Sequence, residues 1–270
     1  MSPLGIIAGS GMLPVSLAQK CLAQGQPVAV VALEGSAVVA DFAPHIRTAL
    51  PLGRGRAMIR FFREHGVQEI VMIGAVKRPS FWDVRPDLWT LWHMGATLLR
   101  GNLGDDGLLR AIRRIFERQG FRLRGIQNFL PDLVATPGPL GHYTPDEAAL
   151  YDIRRGLSVT RLIGLADVGQ AAVVQGGIVL GVEAAEGTSA LVRRCVDLKR
   201  GGPGPILIKA AKPDQDPDLD LPTIGPETIK AVVAGGYRGI AVQAGKTLLV
   251  DPLTMADLAD QSGVFVVGIE

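Results

Sequence analysis

The feature that most constrains this chain is the regular alternation of short apolar runs with amphipathic stretches over its first half. Leu4–Ala8, Pro27–Leu33 and Gln68–Gly74 read as strands; Met12–Ala23 and Gly53–Glu64 read as helices between them. Asp105–Gln119 continues as a helix with arginine and apolar residues at helical spacing, and Phe121–Ile126 closes the series as a strand. Strands separated by whole helices cannot pair as hairpins, so this order predicts a parallel sheet covered by helices, a Rossmann-like α/β domain spanning residues 1–130. The pattern then breaks over a stretch carrying Pro131, Pro137 and Pro139 with glycines between them. Residues 131–143 are expected to be an interdomain linker, with a long internal loop as the alternative.

A second domain is expected over residues 144–270, a mixed α/β catalytic domain. Thr144-Pro145-Asp146-Glu147 offers a helix cap, a first-turn proline and a capping-box glutamate. Ala171–Gln175 and Ile178–Glu183, joined by Gly176-Gly177, predict a hairpin. Further strands are expected at Pro205–Lys209, Gly239–Val242, Thr247–Val250 and Val264–Gly268, with helices at Ser189–Leu198, Pro226–Ala234 and Pro252–Gln261. Asp251 is the expected cap of the last helix and Gly263 its stop.

Composition narrows the function classes. Of 270 residues, 47% are apolar and 20% charged, enough for a substantial core. A net charge of +2 speaks against wholesale nucleic-acid binding. Two cysteines, Cys21 and Cys195, fit a reducing cytoplasm better than a disulfide framework. No apolar run approaches the roughly 18 residues of a membrane span, and Met1–Gly5 lacks a signal-peptide start, so a soluble protein is expected. His45, His65, His93 and His142 are isolated, without the spacing of a binuclear metallophosphoesterase.

Candidate chemistry falls on the turns. Gly9, Ser10 and Gly11 link the first strand to its helix. They suit either a phosphate at the helix start or a purely structural tight turn, and Pro14 departs from the dinucleotide fingerprint. Lys77 and Arg78 follow the third strand and suit either a diphosphate contact or a solvated loop; Asp105 and Asp106 open a helix, where they complement its dipole or reach a cation or sugar hydroxyls. Trp82, Trp89 and Trp92 line a groove for acyl chains, touch the bilayer surface or, as such clusters do more often, form core or subunit interface. The basic helix bearing Arg110, Arg113, Arg114 and Arg118 reads as a solvated face more readily than as a lipid-headgroup site.

The densest set runs from Asp167 to Gln243. Asp167-Val168-Gly169-Gln170 precedes a strand; Glu183, Glu186, Gly187, Thr188 and Ser189 link a strand to a helix. Lys209 and Lys212 follow another strand, Asp216, Asp218, Asp220, Thr223 and Gly225 lead into the next helix, and Gln243 ends a strand. Lysines neutralise phosphate oxygens while carboxylates hold Mg²⁺ or position water.

With these motifs in hand, the whole chain resembles the UDP-2,3-diacylglucosamine pyrophosphatases of the LpxI type. The carriers are Ile6-Ile7-Ala8-Gly9-Ser10-Gly11-Met12-Leu13-Pro14, Gly104-Asp105-Asp106, Asp167-Val168-Gly169-Gln170, Val182-Glu183-Ala184-Ala185-Glu186-Gly187-Thr188 and Lys209-Ala210-Ala211-Lys212-Pro213 through Asp220-Leu221-Pro222-Thr223-Ile224-Gly225. The resemblance implies a cytoplasmic, Mg²⁺-assisted hydrolysis giving UMP and 2,3-diacylglucosamine 1-phosphate (lipid X), a step of lipid A biosynthesis. It also implies a homodimer with ligand held between two domains, and peripheral contact with the inner membrane. On that reading Asp220 and Asp216 hold metal or water, Lys209 and Lys212 offset diphosphate charge, and Glu183, Glu186, Thr188 and Ser189 contact metal, sugar or phosphate. Two other classes are open: a dinucleotide oxidoreductase using Gly9, Gly11 and Glu34, and a non-catalytic lipid or nucleotide carrier using the tryptophans.

Overall fold

The computed structural model describes residues 1–76, 86–99, 105–213 and 215–270, without the side chains of 94–99 and 105–106. The chain divides into two compact units: Met1–Pro131 with Asp216–Asp220, and Asp132–Gln215 with Leu221–Glu270. The class is α/β; the described residues form a five-stranded parallel sheet, a six-stranded mixed sheet and a two-stranded parallel pair.

In the first unit, β1 (Leu4–Ala8), β2 (Val28–Leu33), β3 (Ile46–Leu50), β4 (Glu69–Ile73) and β5 (Arg122–Leu123) form a sheet of order β3-β2-β1-β4-β5, every pair parallel. β1 and β2 are buried along their whole length, as a central strand covered on both faces must be. α1 (Leu13–Ala23) packs on β1 and β2 through Leu17, Ala18 and Cys21. Ile7, Ala29, Val31 and Leu33 share a core cluster with Met58, Ile59 and Phe62 of α2 (Gly55–Glu64). α3 (Leu88–Leu99) follows, and α4 (Asp105–Arg118) adds Ile115 and Phe116 to that cluster.

The second unit opens earlier than the sequence suggests. Residues 132–143, expected to be part of a linker, belong to it: β6 (Gly138–Pro139) pairs antiparallel with β13 (Phe265–Ile269), and Ala135 is buried in its core. α5 (Glu147–Leu165) follows, capped by Asp146, whose Oδ1 accepts the Ala149 amide at 2.7 Å. The cap is Asp146, so Thr144 and Pro145 lie outside the helix.

β7 (Ala171–Gln175) and β8 (Ile178–Val182) form the expected hairpin. Gly176 and Gly177 have φ of 56° and 76°, and the carboxylate of buried Asp152 accepts both their amides. β9 (Ile206–Lys209), β11 (Gly239–Gln243) and β13 are mutually parallel, and the sheet order is β6-β13-β11-β9-β7-β8. A parallel pair, β10 (Thr223–Ile224) and β12 (Leu248–Leu249), stands apart.

Strand alternation sorts this sheet's two faces. Ile206, Ile208, Ala241, Phe265 and Val267 cluster with Ala149 and Ile153 of α5. Leu207, Ile240, Val242 and Val266 cluster with α6 (Thr188–Arg194), α7 (Pro226–Ala234) and α8 (Pro252–Ser262). Lys209 continues the alternation from Leu207, which places its side chain on the α6–α7 face.

In the first unit, the turns after β1 and β4 are fastened backbone to backbone. Ser10 and Ala75 exchange amide–carbonyl bonds of 2.8 and 3.0 Å, and Ser10 Oγ donates to the Ala75 carbonyl. A Cβ on Gly9 would lie 2.6 Å from the Gly74 carbonyl oxygen. Gly9→Ala should therefore lower unfolding free energy by about 1–3 kcal/mol, as overpacking does. Urea denaturation checks this; an unchanged midpoint would mean the two turns do not hold each other.

Candidate active site

The carboxyl edge of the second unit's sheet gathers residues distant in sequence. Because β7 runs antiparallel to β9, its first residue Ala171 sits opposite Lys209, which brings Gln170 to the end of β9. Glu183 leaves β8 beside them, its amide bonded to the Ala171 carbonyl at 2.8 Å. Gly169 lets this happen, since a Cβ there would lie 2.1 Å from the Glu183 carbonyl oxygen.

At this edge lies a buried, polar chain. Lys209 is 7% exposed and Glu183 6%. Lys209 Nζ donates to Thr188 Oγ1 and to the Thr223 carbonyl, both at 3.0 Å. Thr188 Oγ1 donates in turn to Glu183 Oε1 at 2.6 Å, and Glu183 Oε2 accepts the Gln170 amide at 3.1 Å. A buried ammonium thus reaches a buried carboxylate through one hydroxyl. Such charges are costly to bury, and hydrogen bonds from fixed groups are what make burial tolerable. The Gln170 Oε1 atom is also buried, and has no hydrogen-bond partner among the described residues.

The remaining sequence candidates separate around this chain. Gln243 Oε1 accepts the Ala211 amide at 3.2 Å and so shapes the segment after β9. Lys212 is fastened to Asp167 through Nζ, and its amide donates to Gln215 Oε1 at 3.0 Å. Glu186 is exposed and pairs with Arg194 at 3.0 Å; a backbone bond from its own residue, then that guanidinium, hold its carboxyl below the usual range. Gly187 takes φ 78° before α6, and Ser189 is exposed. Gly225 precedes α7, where its carbonyl accepts the Thr228 amide at 2.9 Å and its amide donates to Thr228 Oγ1 at 3.4 Å.

Asp216 and Asp220 belong to the other unit, contrary to the expected domain division. Asp216 Oδ2 is paired with Arg113 and its Oδ1 accepts the Asp218 amide at 3.1 Å; Asp220 is exposed. Arg113, read from sequence as part of a solvated face, is half-buried and ion-paired. The partnerships of Arg113 with Asp216 and of Lys212 with Asp167 carry no local sequence signal; only the fold reveals them.

Glycine at position 9 is accounted for by packing against Gly74, while Ser10, Gly11 and Glu34 lie exposed at the ends of β1 and β2. Trp89 packs on the first unit's core and stacks on His93, whereas Trp92 is exposed. Lys77, Arg78, Trp82 and Asp214, and the side chains of Asp105 and Asp106, lie outside the described residues.

Family models described as the LpxI N-terminal domain and the LpxI C-terminal domain match residues 3–133 and 136–267. This chain belongs to the LpxI family. A Caulobacter vibrioides protein named UDP-2,3-diacylglucosamine pyrophosphatase LpxI is 37% identical over 277 residues, spanning 100% of this chain and 98% of that one. Among solved structures, the UDP-glucose 4-epimerase of Brucella ovis in complex with NAD is 13% identical, covers 44% of this chain and 34% of its own, and has a TM-score of 0.29. The Bordetella bronchiseptica enzyme WbmG in complex with NAD is 12% identical over 100% of this chain and 90% of its own, with a TM-score of 0.31. Likenesses that faint carry no weight for fold or cofactor. The two LpxI domain matches meet between residues 133 and 136, close to where the first compact unit ends at Pro131.

The Thr188 hydroxyl is the joint of the buried chain. Thr188→Val should cost about 1–3 kcal/mol, the penalty for leaving buried partners unsatisfied. An unfolding curve identical to that of the unsubstituted protein would contradict the network.

Proposed function

We propose that this LpxI-family chain hydrolyses the pyrophosphate bond of UDP-2,3-diacylglucosamine, releasing UMP and 2,3-diacylglucosamine 1-phosphate (lipid X) in lipid A biosynthesis. The reading is supported by full-length relationship to the Caulobacter vibrioides pyrophosphatase. The structural observation that carries it is the buried ammonium of Lys209, fixed at a sheet edge by Thr188 and Thr223. A diphosphate gains more from a pre-oriented, dehydrated cation than from a solvated one, because no reorganisation is needed as negative charge redistributes.

In the proposed reaction a water oxygen bonds to the sugar-side phosphorus, and the bond from that phosphorus to the bridging oxygen breaks. The bridging oxygen leaves with UMP, and the water proton passes to Asp220 or to solvent. Lys209 and Lys212 offset diphosphate charge as the phosphorus becomes five-coordinate. Glu183 acts by holding Thr188, and through it Lys209; Gln170 presents an amide oxygen still able to accept a sugar or uracil donor.

Among the described residues no three His, Cys, Asp or Glu side chains gather as a metal cage. The donor set fits Mg²⁺, which is commonly held by one or two carboxylates together with substrate phosphates. Asp220 would be the ligand here, since Arg113 beside Asp216 makes that carboxylate the poorer donor. When bound, Mg²⁺ supplies positive charge to the phosphate oxygens. We further propose a homodimeric protein of the cytoplasm, in peripheral contact with the inner membrane through its acylated substrate. No helix of the described residues is long and apolar enough to cross a membrane.

Incubation with UDP-2,3-diacylglucosamine and Mg²⁺ in ¹⁸O-water tests this. UMP and lipid X should form, the label should appear in the lipid phosphate, and chelation should abolish turnover. Label in UMP would overturn the site of attack, and no hydrolysis by folded protein would overturn the activity. Asp220→Ala should lower kcat by about 10²–10⁴-fold, the span of a lost acid–base group; near-normal turnover would remove Asp220 from the mechanism.

A further inference from the structure

The segment Asp216–Asp220 is flanked on both sides by residues of the second unit but belongs to the first. Three kinds of interaction hold it there. Leu219 is buried in the cluster containing Ile115, Phe116 and Phe121. Asp218 Oδ1 accepts the Gly125 amide at 2.9 Å, and Gln127 Nε2 donates to the Pro217 carbonyl at 3.1 Å. Arg113 faces both acids, paired with Asp216 and 3.8 Å from Asp218 Oδ2.

Asp216 is the hub of this turn. Its main-chain carbonyl accepts the amides of Leu219 at 3.0 Å and Asp220 at 3.2 Å, and its carboxylate accepts the Asp218 amide. The backbone position of Asp220 is therefore set directly from Asp216. Asp216 is in turn set by Arg113, whose Nε donates to Glu117 Oε1 at 2.7 Å, one turn further along α4. The contact is only about a quarter exposed, 26% for Arg113 and 24% for Asp216, so it is screened less than a surface pair. Asp216, Asp218 and Asp220 crowd into five residues, and like charges so close repel unless a cation sits among them.

We propose that Arg113 is a positioning residue for Asp220, acting through Asp216, and that Asp216 serves as an anchor and not as a metal ligand. The inference rests on the proposed role of Asp220. Arg113 touches no substrate on this account; its guanidinium fork fixes the carboxylate from which the turn is built, and a point charge would not reproduce that geometry.

Two measurements on the full chain test it. In hydrogen exchange followed by mass spectrometry, Arg113→Met should raise exchange across residues 216–220 while β7–β9 stay protected. Unchanged exchange there would overturn the clamp, whether or not the chain is a pyrophosphatase. In turnover of UDP-2,3-diacylglucosamine, Arg113→Met should lower kcat by about 10- to 100-fold, as small displacements of a reacting group do. KM should stay within about twofold, and more Mg²⁺ should be needed for half-maximal rate. Asp216→Asn should behave likewise, and the double variant should be no worse than the worse single one, as expected of residues acting in series. Additive losses, or a raised KM at unchanged kcat, would overturn the assignment. If Arg113→Met does not fold, Arg113→Lys keeps the charge without the fork and should show the same fall in kcat; full activity in it would overturn the role of the fork. Unsubstituted protein without activity would refute the proposed function, and the exchange result alone would then decide the clamp.

Discussion

A buried ammonium group must be given partners by the fold, and in this chain that demand organises the second unit's sheet edge. Lys209 ends β9 on the face shared with α6 and α7, so its Nζ meets the Thr188 hydroxyl and the Thr223 carbonyl. Thr188 is oriented to serve because its hydroxyl donates a hydrogen bond to Glu183, and Glu183 is held by the Gln170 amide. Gln170 reaches that point because Gly169 allows the backbone to pass against Glu183. Removing any one partner would take a hydrogen bond from a buried polar group, and such losses are costly.

Much of this was legible in sequence where local signals and tertiary demand agree. β1 and α7 run as the apolar pattern and the Gly225-Pro226 start predict, and Asp251 caps α8 as expected, its Oδ1 accepting the Thr254 amide at 3.3 Å. Lys209, Glu183 and Gln170 stand out as polar residues at strand ends and Thr188 as one at a helix start, and the fold brings those four together. β3 carries no strand signal in the sequence because it is an edge strand whose residues Ile46, Arg47 and Ala49 are exposed, so it needs no apolar run. β5 is shorter than Phe121–Ile126 because the Phe121 amide is still bonded to α4 and a 3-10 turn begins at Ile126. α3 was masked by its aromatic composition, which reads as a cluster before it reads as a helix.

The acidic loop shows where local reading runs out. Asp216, Asp218 and Asp220 look alike in sequence, and nothing local distinguishes a ligand from an anchor. What separates them lies about a hundred residues away: Arg113 pairs with Asp216, and the Gly125 amide donates to Asp218. The same holds for the glycine turn. Its spacing suggests a phosphate, but the residue that needs Gly9 to lack a side chain is Gly74. Residues 131–143 were expected to link two domains because proline and glycine mark irregular backbone; that backbone instead supplies β6 and part of a core.

The fixed charge of Lys209 is the claim on which the site depends, and Lys209→Met addresses it most directly because methionine keeps much of the buried stem while removing the ammonium. The decisive measurement is single-turnover hydrolysis of UDP-2,3-diacylglucosamine by this variant, with its fold verified by circular dichroism. The account predicts a folded protein whose rate falls by about 10²–10³-fold, the loss typical of a pre-organised donor to a developing charge. A folded variant that hydrolyses at close to the unsubstituted rate would contradict it.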